Sequence, residues 1–320
     1  MKLPTFRDVE AAAARIAGKV TRTPLLNSIE LDRQTGGRIY VKPECLQLTG
    51  AFKARGAFNR LTAMSEAERA RGVVAFSSGN HGQAVAYAAK ALGIAATIVM
   101  PESAPAIKIE KTRSHGPKIV LYDPETESRE EIAAAIAEDT GAGVVPSFED
   151  PYIIAGQGTH ALEVIEDAPN LDAYLVCTGG GGLLAGSALV FAELSPETRL
   201  YSVEPEEYND YQKSFETGKR VKNENPKPTI CDALMTPSPG VMTFEINRKH
   251  VTGGLVVSDD EVRDAIRFAY KTFELVIEPG GAVALAAVLS GKIETRGRAI
   301  GLIVTGGNVD PGLFKEILEG

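Results

Sequence analysis

The chain has 320 residues, of which 44% are hydrophobic and 24% charged, and this ordinary globular composition excludes a disordered or fibrous protein. Its net charge of −8 and the lack of a dense Lys and Arg run disfavour nucleic acid as a partner. The richest apolar stretch, 84–100, is interrupted by Lys90, so the sequence predicts no membrane span.

Both the N-terminus and the cysteines predict a cytoplasmic protein. The first ten residues carry charges where a signal peptide has its apolar core. The three cysteines, Cys45, Cys177 and Cys231, are odd in number and widely spaced, which argues against a disulfide framework and against a zinc site. We therefore expect a reducing compartment.

Short β-branched runs alternate with Ala-rich helical stretches, a pattern typical of parallel strands joined by crossover helices. The strands are predicted, in chain order, at 38–42, 72–77, 97–100, 118–122, 173–177, 200–203 and 299–304. The helices are predicted at 6–19, 51–64, 82–92, 106–114, 126–140, 156–167, 182–194, 259–273 and 281–289. This order predicts an open α/β architecture. The polar, proline-rich segment 205–239 is predicted as a loop with one short helix.

The first motif in the chain is LTGAFKARGA at 48–57. We expect Thr49 to cap a helix with Lys53 in its first turn, where the helix dipole disfavours a cation. Such a position favours the neutral amine over the ammonium form, and a lysine that forms a Schiff base must be neutral. Taken alone, Lys53 is better interpreted as a solvated surface lysine.

The second motif, FSSGNHGQ at 76–83, lies between a predicted strand and a predicted helix. Hydroxyl groups, an amide and unpaired N–H groups meet there, which favours the binding of a carboxylate. The alternative is ordinary capping, for which one Ser or Asn is sufficient.

The third motif, TGGGGLLAG at 178–186, follows an apolar strand and opens an apolar helix. Successive residues without Cβ allow backbone N–H groups to surround a phosphate at the positive end of the helix. The alternative is a tight turn, which explains four adjacent glycines poorly. The spacing fits neither a dinucleotide fingerprint nor a P-loop. The fourth motif, IVTGGNVD at 303–310, places a hydroxyl at a strand end and means little alone.

Together the motifs resemble those of the fold-type II enzymes of pyridoxal 5′-phosphate, within the threonine/serine dehydratase and serine racemase group. Segment 49–57 resembles the cofactor-lysine segment, 77–83 the loop that binds the substrate carboxylate, and 179–183 the phosphate cup. Segments 146–151 and 155–159 are similar to the place where the chain re-enters the large domain. The resemblance covers nearly the whole chain in order and spacing.

The resemblance implies an α/β fold of two open, twisted, mostly parallel sheets with flanking helices, like that of the tryptophan synthase β chain. We expect a discontinuous cofactor-binding domain, 1–68 and 148–320, and a small inserted domain, 69–147. The chain ends soon after the fourth motif, so we expect no C-terminal regulatory domain. The resemblance also implies that the protein forms a homodimer.

For the cofactor, the resemblance implies that Lys53 is the lysine linked to it, that Asn80 contacts its phenolic oxygen, and that the Thr305 hydroxyl faces its ring nitrogen. Residues that would hold the phosphate or flank the ring are Gly179, Gly180, Gly181, Gly182, Leu183, Phe52 and Gly240. A hydroxyl does not keep the ring nitrogen protonated, which favours rapid loss of a β-leaving group.

The implied reaction is the elimination of the β-hydroxyl of L-serine, L-threonine or 3-hydroxyaspartate to give a 2-oxo acid and ammonia. The alternative is a serine racemase, or an aspartate-type racemase, with dehydration as a side activity. The implied substrate contacts are Ser77, Ser78, Asn80, His81 and Arg129, although Arg129 is equally well explained as a helix-surface residue. Ser78 stands where typical threonine dehydratases carry Ala, whereas serine racemases and some hydroxyaspartate dehydratases carry Ser. It is either a second catalytic acid and base, as a racemase needs, or a capping hydroxyl.

Two further features bear on this assignment. Glu204 and Asp210, with the carbonyl of Tyr208, match a Mg²⁺ or Ca²⁺ site of racemase-like members, although the acidic stretch is also compatible with a solvated loop. Segment 231–240 departs from the family pattern at Ala233, where Gly is common, and this leaves the substrate open. Two readings outside this class are a nucleotide-dependent oxidoreductase and a catalytically silent ligand-binding relative. The first lacks the expected glycine motif, and the second has no need of Lys53.

Overall fold

A computed structural model describes residues 2–77, 79–104 and 106–320. Ten strands lie within these residues: β1 (Leu26–Asn27), β2 (Arg38–Pro43), β3 (Val73–Phe76), β4 (Ala96–Pro101), β5 (Lys118–Tyr122), β6 (Gly143–Val144), β7 (Ala173–Cys177), β8 (Arg199–Pro205), β9 (Gly253–Val257) and β10 (Ala299–Val304). They form a six-stranded sheet in the order β1-β2-β10-β7-β8-β9 and a four-stranded sheet in the order β5-β4-β3-β6.

All neighbouring strands are parallel except β1, which pairs antiparallel with β2. The predicted α/β class with two mostly parallel sheets is therefore confirmed. All seven predicted strands are present. The sequence missed β1 and β6, which are two residues long, and β9, which begins with two glycines and is only half-buried. Short or half-buried strands lack the apolar runs that make a buried strand visible in a sequence.

The described residues form fourteen helices: α1 (Phe6–Ile16), α2 (Ile29–Thr35), α3 (Lys53–Thr62), α4 (Glu66–Arg71), α5 (Asn80–Leu92), α6 (Ala106–Arg113), α7 (Arg129–Thr140), α8 (Pro151–Asp167), α9 (Gly182–Leu194), α10 (Asp210–Thr217), α11 (Val241–His250), α12 (Asp259–Phe273), α13 (Pro279–Leu289) and α14 (Pro311–Glu319). The nine predicted helices are present, with ends that differ by up to five residues. The sequence missed α2, α4, α11 and α14, and α10 is the short helix expected within 205–239. These helices have six to ten residues, too few for a strong helical period.

The position of α3 between the two sheets matters most for the site. Its residues Ala54, Ala57, Phe58 and Leu61 are buried in the core that also contains apolar residues of the four-stranded sheet. On its other side α3 packs on α8, which borders the six-stranded sheet. The start of α3 is therefore fixed between the two sheets. In the part of the chain that the structure describes, no helix combines the length and the apolar character needed to cross a bilayer.

Candidate active site

A cavity of about 490 Å³ opens between the two sheets, at the carboxyl ends of their parallel strands. Open α/β sheets bind ligands at this edge. The cavity wall includes every described residue that the sequence assigned to the cofactor or the substrate: Phe52, Lys53, Ser77, Asn80, His81, Arg129, Gly179, Gly180, Gly181, Gly182, Leu183, Gly240 and Thr305. Ser78, the remaining residue of that prediction, lies outside the described residues.

Lys53 is the first residue of α3, and its surroundings favour a reactive amine. Its Nζ donates a hydrogen bond to the carbonyl of Ser147 at 2.9 Å and lies 5.0 Å from the centre of the Phe52 ring. Burial lowers the pKa of Lys53 to about 8, and the Glu278 carboxylate limits this fall. An amine with such a pKa is partly neutral near physiological pH, as a nucleophile or proton acceptor must be.

The predicted cap of this helix is wrong. Thr49 lies in a tight turn with a φ of 60°, and its hydroxyl has no hydrogen-bond partner among the described residues. The helix starts instead where the backbone of Ala51 forms a bridge to Gly306 and the N–H of Phe52 donates to the carbonyl of Thr305. A contact with the distant strand β10 therefore places Lys53, where local capping was expected to do so.

The glycine loop after β7 has the geometry of an anion cradle. A Cβ on Gly180 would lie 2.3 Å from the Phe148 ring. Gly181 has a φ of +88°, and a Cβ there would lie 1.8 Å from the Tyr211 hydroxyl. The carbonyl of Gly180 accepts a hydrogen bond from the Thr243 hydroxyl at 2.7 Å, and that of Gly181 accepts one from Asn247 at 3.2 Å. These bonds fix the carbonyls of the loop. The first N–H groups of α9 have no partner within the helix, so they remain available for a phosphate.

The polar loop after β3 contains an ordered amide. Asn80 opens α5, and its Nδ2 donates to Glu278 Oε1 at 2.6 Å while its Oδ1 accepts from Asn308 Nδ2 at 2.8 Å. The Ser77 hydroxyl accepts the N–H of Gly79 at 3.1 Å. An amide nitrogen has two hydrogens, so Asn80 can donate one to Glu278 and a second to a ligand.

His81 is buried in the same wall and is neutral. Its Nε2 lies 2.8 Å from the carbonyl of Val145, which can only accept, so Nε2 carries the hydrogen. Burial lowers the pKa of His81 to about 3, and the positive charge of Lys53 adds to this effect. Its Nδ1 has no partner among the described residues and is an acceptor.

Glu278 is a site residue that sequence reasoning missed. It precedes α13, is 5% exposed, and receives the Asn80 hydrogen bond. Burial raises the pKa of Glu278 to about 7, Asp232 raises it further, and the hydrogen bond from Asn80 opposes the rise. A local signal for this residue was present in the sequence, because Glu278 stands before Pro, Gly and Gly at the start of a helix, in segment 278–281. Asn308, which lines the cavity and donates to Asn80, was also not predicted as a site residue.

The remaining predicted residues lie at different parts of the wall. Thr305 directly follows β10 and is 5% exposed, and its N–H donates to the carbonyl of Gly281. Gly240 precedes α11, and a Cβ there would lie 2.1 Å from Glu149 Oε1. Arg129 pairs with Glu130 at 2.9 Å and its guanidinium lies 5.6 Å from the centre of the Phe76 ring.

The predicted cation residues form a separate group at the end of β8. Both oxygens of Glu204, which is fully buried, accept backbone N–H groups at 2.8 Å from Tyr211 and Gln212. Asp210 Oδ1 accepts from Asn223 at 2.9 Å. In the described part of the chain, Asp210 Oδ2 is buried without a partner, and no cluster of three or more His, Cys, Asp or Glu side chains is present.

The ionisation of this pair is also shifted. Burial raises the pKa of Asp210 to about 7, and burial together with the Asp210 charge raises the pKa of Glu204. The carbonyl of Tyr208 belongs to the single-turn helix Glu206–Tyr208 that separates the two acids along the chain. Two buried carboxylates and an oxygen without a partner are compatible with a hard cation that takes main-chain oxygens as further ligands.

The sequence pattern of the family described as "Pyridoxal-phosphate dependent enzyme" matches residues 16–306. The L-threo-3-hydroxyaspartate ammonia-lyase of Pseudomonas sp. is 47% identical to the chain over 320 residues, which cover 100% of both proteins. The L-threonine ammonia-lyase of Thermotoga maritima is 41% identical over 315 residues, 98% of this chain and 78% of that protein. The structure of maize serine racemase is similar with a TM-score of 0.94 at 37% identity, covering 99% of this chain and 98% of that one.

Proposed function

Because this chain belongs to the family of pyridoxal-phosphate dependent enzymes, we propose that it is an ammonia-lyase that removes the β-hydroxyl group of a hydroxy amino acid. The products are a 2-oxo acid and ammonia. The substrates considered are L-serine, L-threonine and 3-hydroxyaspartate. The observation that carries the proposal is the half-buried Lys53 in the cavity wall, whose amine has a pKa lowered to about 8, which suits it to attach a cofactor and to take a proton. Similarity to two ammonia-lyases, over nearly the whole chain, supports the reaction type.

The residues of the cavity fit pyridoxal phosphate. The glycines 179–182 and Leu183 would hold its phosphate through backbone N–H groups. Side chains would not fit in this loop, because a Cβ on Gly180 or Gly182 would collide with Phe148 and one on Gly181 with Tyr211. Lys53 would carry the cofactor, and Phe52 and Gly240 would lie on either side of its ring. The amide of Asn80 would donate to its phenolic oxygen, and the Thr305 hydroxyl would face its ring nitrogen.

When bound, the cofactor withdraws electrons from the α-carbon of the amino acid. The chain supplies positioning and proton transfer. The loop of Ser77, Asn80 and His81 would bind the α-carboxylate at the start of α5, where N–H groups point towards the cavity. Lys53 Nζ would accept the α-proton, since a pKa near 8 leaves a usable fraction of neutral amine.

The assay that tests this proposal measures the release of 2-oxo acid from L-serine, L-threonine and each isomer of 3-hydroxyaspartate. We expect turnover of at least one of these substrates by the wild type. Lys53→Ala should abolish turnover and the yellow colour of the bound cofactor. The matched control is Lys90→Ala, an exposed lysine of α5 outside the cavity wall, which should retain both. Substantial turnover by Lys53→Ala would contradict the assignment.

A second candidate function is amino acid racemisation, with elimination as a side reaction. The similarity to maize serine racemase is the observation on its side, but the ammonia-lyases are similar over as much of the chain, so the comparisons do not favour racemisation over elimination. Inversion of the α-carbon needs an acid or base on each face, and Ser78 would supply the one opposite Lys53.

The Ser78→Ala variant separates these two functions. If Ser78 acts as the second acid and base, the variant loses interconversion of L- and D-serine but keeps elimination from L-serine. If Ser78 is a capping or binding hydroxyl, both activities fall together by a modest factor. Measuring D-serine and pyruvate in parallel distinguishes the cases, and a wild type that never forms D-serine excludes racemisation.

We also propose that Glu204, Asp210 and the carbonyl of Tyr208 bind Mg²⁺ or Ca²⁺. The buried Oδ2 of Asp210 supports this site, because a buried carboxylate oxygen without a partner among the described residues is costly. A bound cation would order the connection between β8 and α10.

For the whole chain we propose a large domain, 1–68 and 148–320, with 69–147 inserted as a small domain. The two separate sheets support this division. We further propose a homodimer that acts in the cytoplasm. The three free cysteines support a reducing compartment. Light scattering of the purified protein would measure the assembly.

A further inference from the structure

Three basic side chains other than the lysine of α3 lie in the cavity wall, and they differ in how their charge is balanced. Lys108 pairs with Asp232 at 2.5 Å, and Arg129 pairs with Glu130 at 2.9 Å. Arg220 forms no ion pair with any carboxylate in the part of the chain that the structure describes. It therefore adds uncompensated positive charge to the wall.

The other acidic side chains of the wall are already engaged. Glu149 accepts the N–H groups of Met242 at 3.1 Å and Thr243 at 3.3 Å. Glu278 accepts the Asn80 amide at 2.6 Å. No described carboxylate of the wall therefore pairs with Arg220, and its guanidinium is free to bind an anionic ligand.

The position of Arg220 is fixed by neutral groups. Its Nε donates to the carbonyl of Pro239 at 2.8 Å, and the following segment is tied to the same wall by the N–H of Asn223, which donates to the carbonyl of Pro237 at 2.9 Å. Arg220 Nη2 lies 3.5 Å from the hydroxyl of Ser238. Among the described residues Nη1 has no hydrogen-bond partner, and Nη2 has only this long contact. The bonds of Arg220 also attach it to segment 231–240, where the sequence departs from the family pattern.

We propose that Arg220 is a specificity-determining residue that binds a carboxylate on the β-carbon of the substrate. The preferred substrate is then an acidic β-hydroxy amino acid of the 3-hydroxyaspartate class, ahead of serine and threonine. A planar guanidinium can bind a carboxylate through two parallel hydrogen bonds, which a lysine ammonium cannot reproduce. This inference rests on the proposed lyase function and names the substrate class of the same site.

The size of the expected preference follows from the exposure of Arg220, which lines the cavity but is in contact with water. When serine binds, the guanidinium of Arg220 stays hydrated. The absence of a β-carboxylate therefore weakens the binding of serine less than it would if Arg220 were fully buried. We therefore expect loss of the guanidinium to lower kcat/KM for L-threo-3-hydroxyaspartate by about fivefold more than for L-serine, the effect of an ion pair in contact with water.

The test compares kcat/KM for these two substrates in the wild type, Arg220→Gln and Arg220→Lys. Arg220→Gln should reduce turnover of 3-hydroxyaspartate selectively, and Arg220→Lys should recover part of it. The matched control is Lys219→Gln. Lys219 is adjacent to Arg220 in the chain but does not line the cavity, so this variant loses the same charge and should behave as the wild type. Equal losses on both substrates, or no loss on either, would overturn the inference, as would a wild type that prefers L-serine.

A binding measurement separates this inference from the lyase proposal. The melting temperature of the cofactor-loaded protein is measured with L-malate and with L-lactate, which differ by one carboxylate. We expect a larger rise with L-malate, and no difference between the two acids in Arg220→Gln. If no substrate is turned over but this pattern holds, the lyase proposal fails and the carboxylate site stands. If both acids act alike on the wild type, the carboxylate site is wrong.

Discussion

Three ionisable residues around the cavity, Lys53, His81 and Glu278, have pKa values displaced towards their neutral forms. Burial is the leading cause for each, since removal from water penalises the charged form. The cavity thus contains a lysine near pKa 8 and a carboxyl group near pKa 7. Groups with displaced pKa values in a cleft are typical of sites that transfer protons.

The Glu278→Gln variant tests the ionisation of this buried carboxyl group. Its folded-state pKa of about 7 exceeds the ordinary value of 4.5, so its charged form destabilises the fold above neutral pH. Glutamine can still accept the Asn80 hydrogen bond without charge. We expect the cofactor-free variant to gain on the order of 2 to 3 kcal/mol at pH 8 and almost nothing at pH 4.5.

Chemical unfolding at the two pH values measures this difference. The control is Glu245→Gln, a surface residue of α11 paired with Arg248, which should change stability little at either pH. A Glu278→Gln variant that is less stable than the wild type at pH 8 would show that the charged form is stabilising.

At the scale of elements, α11 supports the glycine loop and α10 supports the proposed cation. Thr243 and Asn247, one turn apart on α11, bind the carbonyls of Gly180 and Gly181. Asn247 also donates to the Tyr211 hydroxyl at 3.1 Å, and Tyr211 lies directly after Asp210 in α10. The loop that would hold the phosphate is therefore in contact with the helix that starts at the cation residues.

The cation site predicts a thermal shift. Addition of Mg²⁺ or Ca²⁺ to chelator-treated protein should raise the melting temperature by several degrees, because a ligand at about 100 times its Kd stabilises by about 2.7 kcal/mol. Asp210→Asn should remove the shift. Asp264→Asn, at an exposed pair with Arg267, should keep it. If neither cation moves the melting temperature of the wild type, the site does not bind them.

At the scale of the whole molecule, a buried ion-pair network connects α3 with β2 and α8. Arg55 Nε lies 2.8 Å from Glu44, Arg55 Nη1 lies 2.7 Å from Glu163, and Lys42 Nζ lies 2.5 Å from Glu163. Although burial acts to raise the pKa of Glu44, the Arg55 guanidinium lowers it to about 2. Arg55 lies two positions after Lys53 in α3, so the network fixes the helix that presents the amine.

Replacement of Arg55 by Met should destabilise the protein by about 3 to 5 kcal/mol, because it leaves the Glu44 carboxylate buried without its counter-ion. Guanidinium-induced unfolding measures the loss. The control Arg263→Met, which breaks a surface pair with Glu316, should cost no more than about 1 kcal/mol. A small effect of Arg55→Met would mean that the network contributes little to the position of α3.

The sequence alone determined the α/β class, all the longer buried strands and the four motifs. These features are local, because a buried strand, a helix end or a run of glycines is encoded in adjacent residues by hydrophobic period and backbone freedom. Its resemblance to a family then identified the cofactor, which the family match confirmed. The roles of the individual site residues and of the cation remain predictions.

Only the tertiary structure decided which distant residues meet. Glu278 contacts Asn80 across 198 positions, Arg55 binds Glu163 across 108, and Thr305 holds the backbone that starts α3. The expected Thr49 cap was wrong because that long-range bridge, not a local cap, starts the helix. Such contacts depend on the order of strands in the sheets, in which β2, β10 and β7 are neighbours although they are far apart in the chain. Hydrophobic period predicts which residues are buried, but the identity of their partners is set by how the sheets assemble.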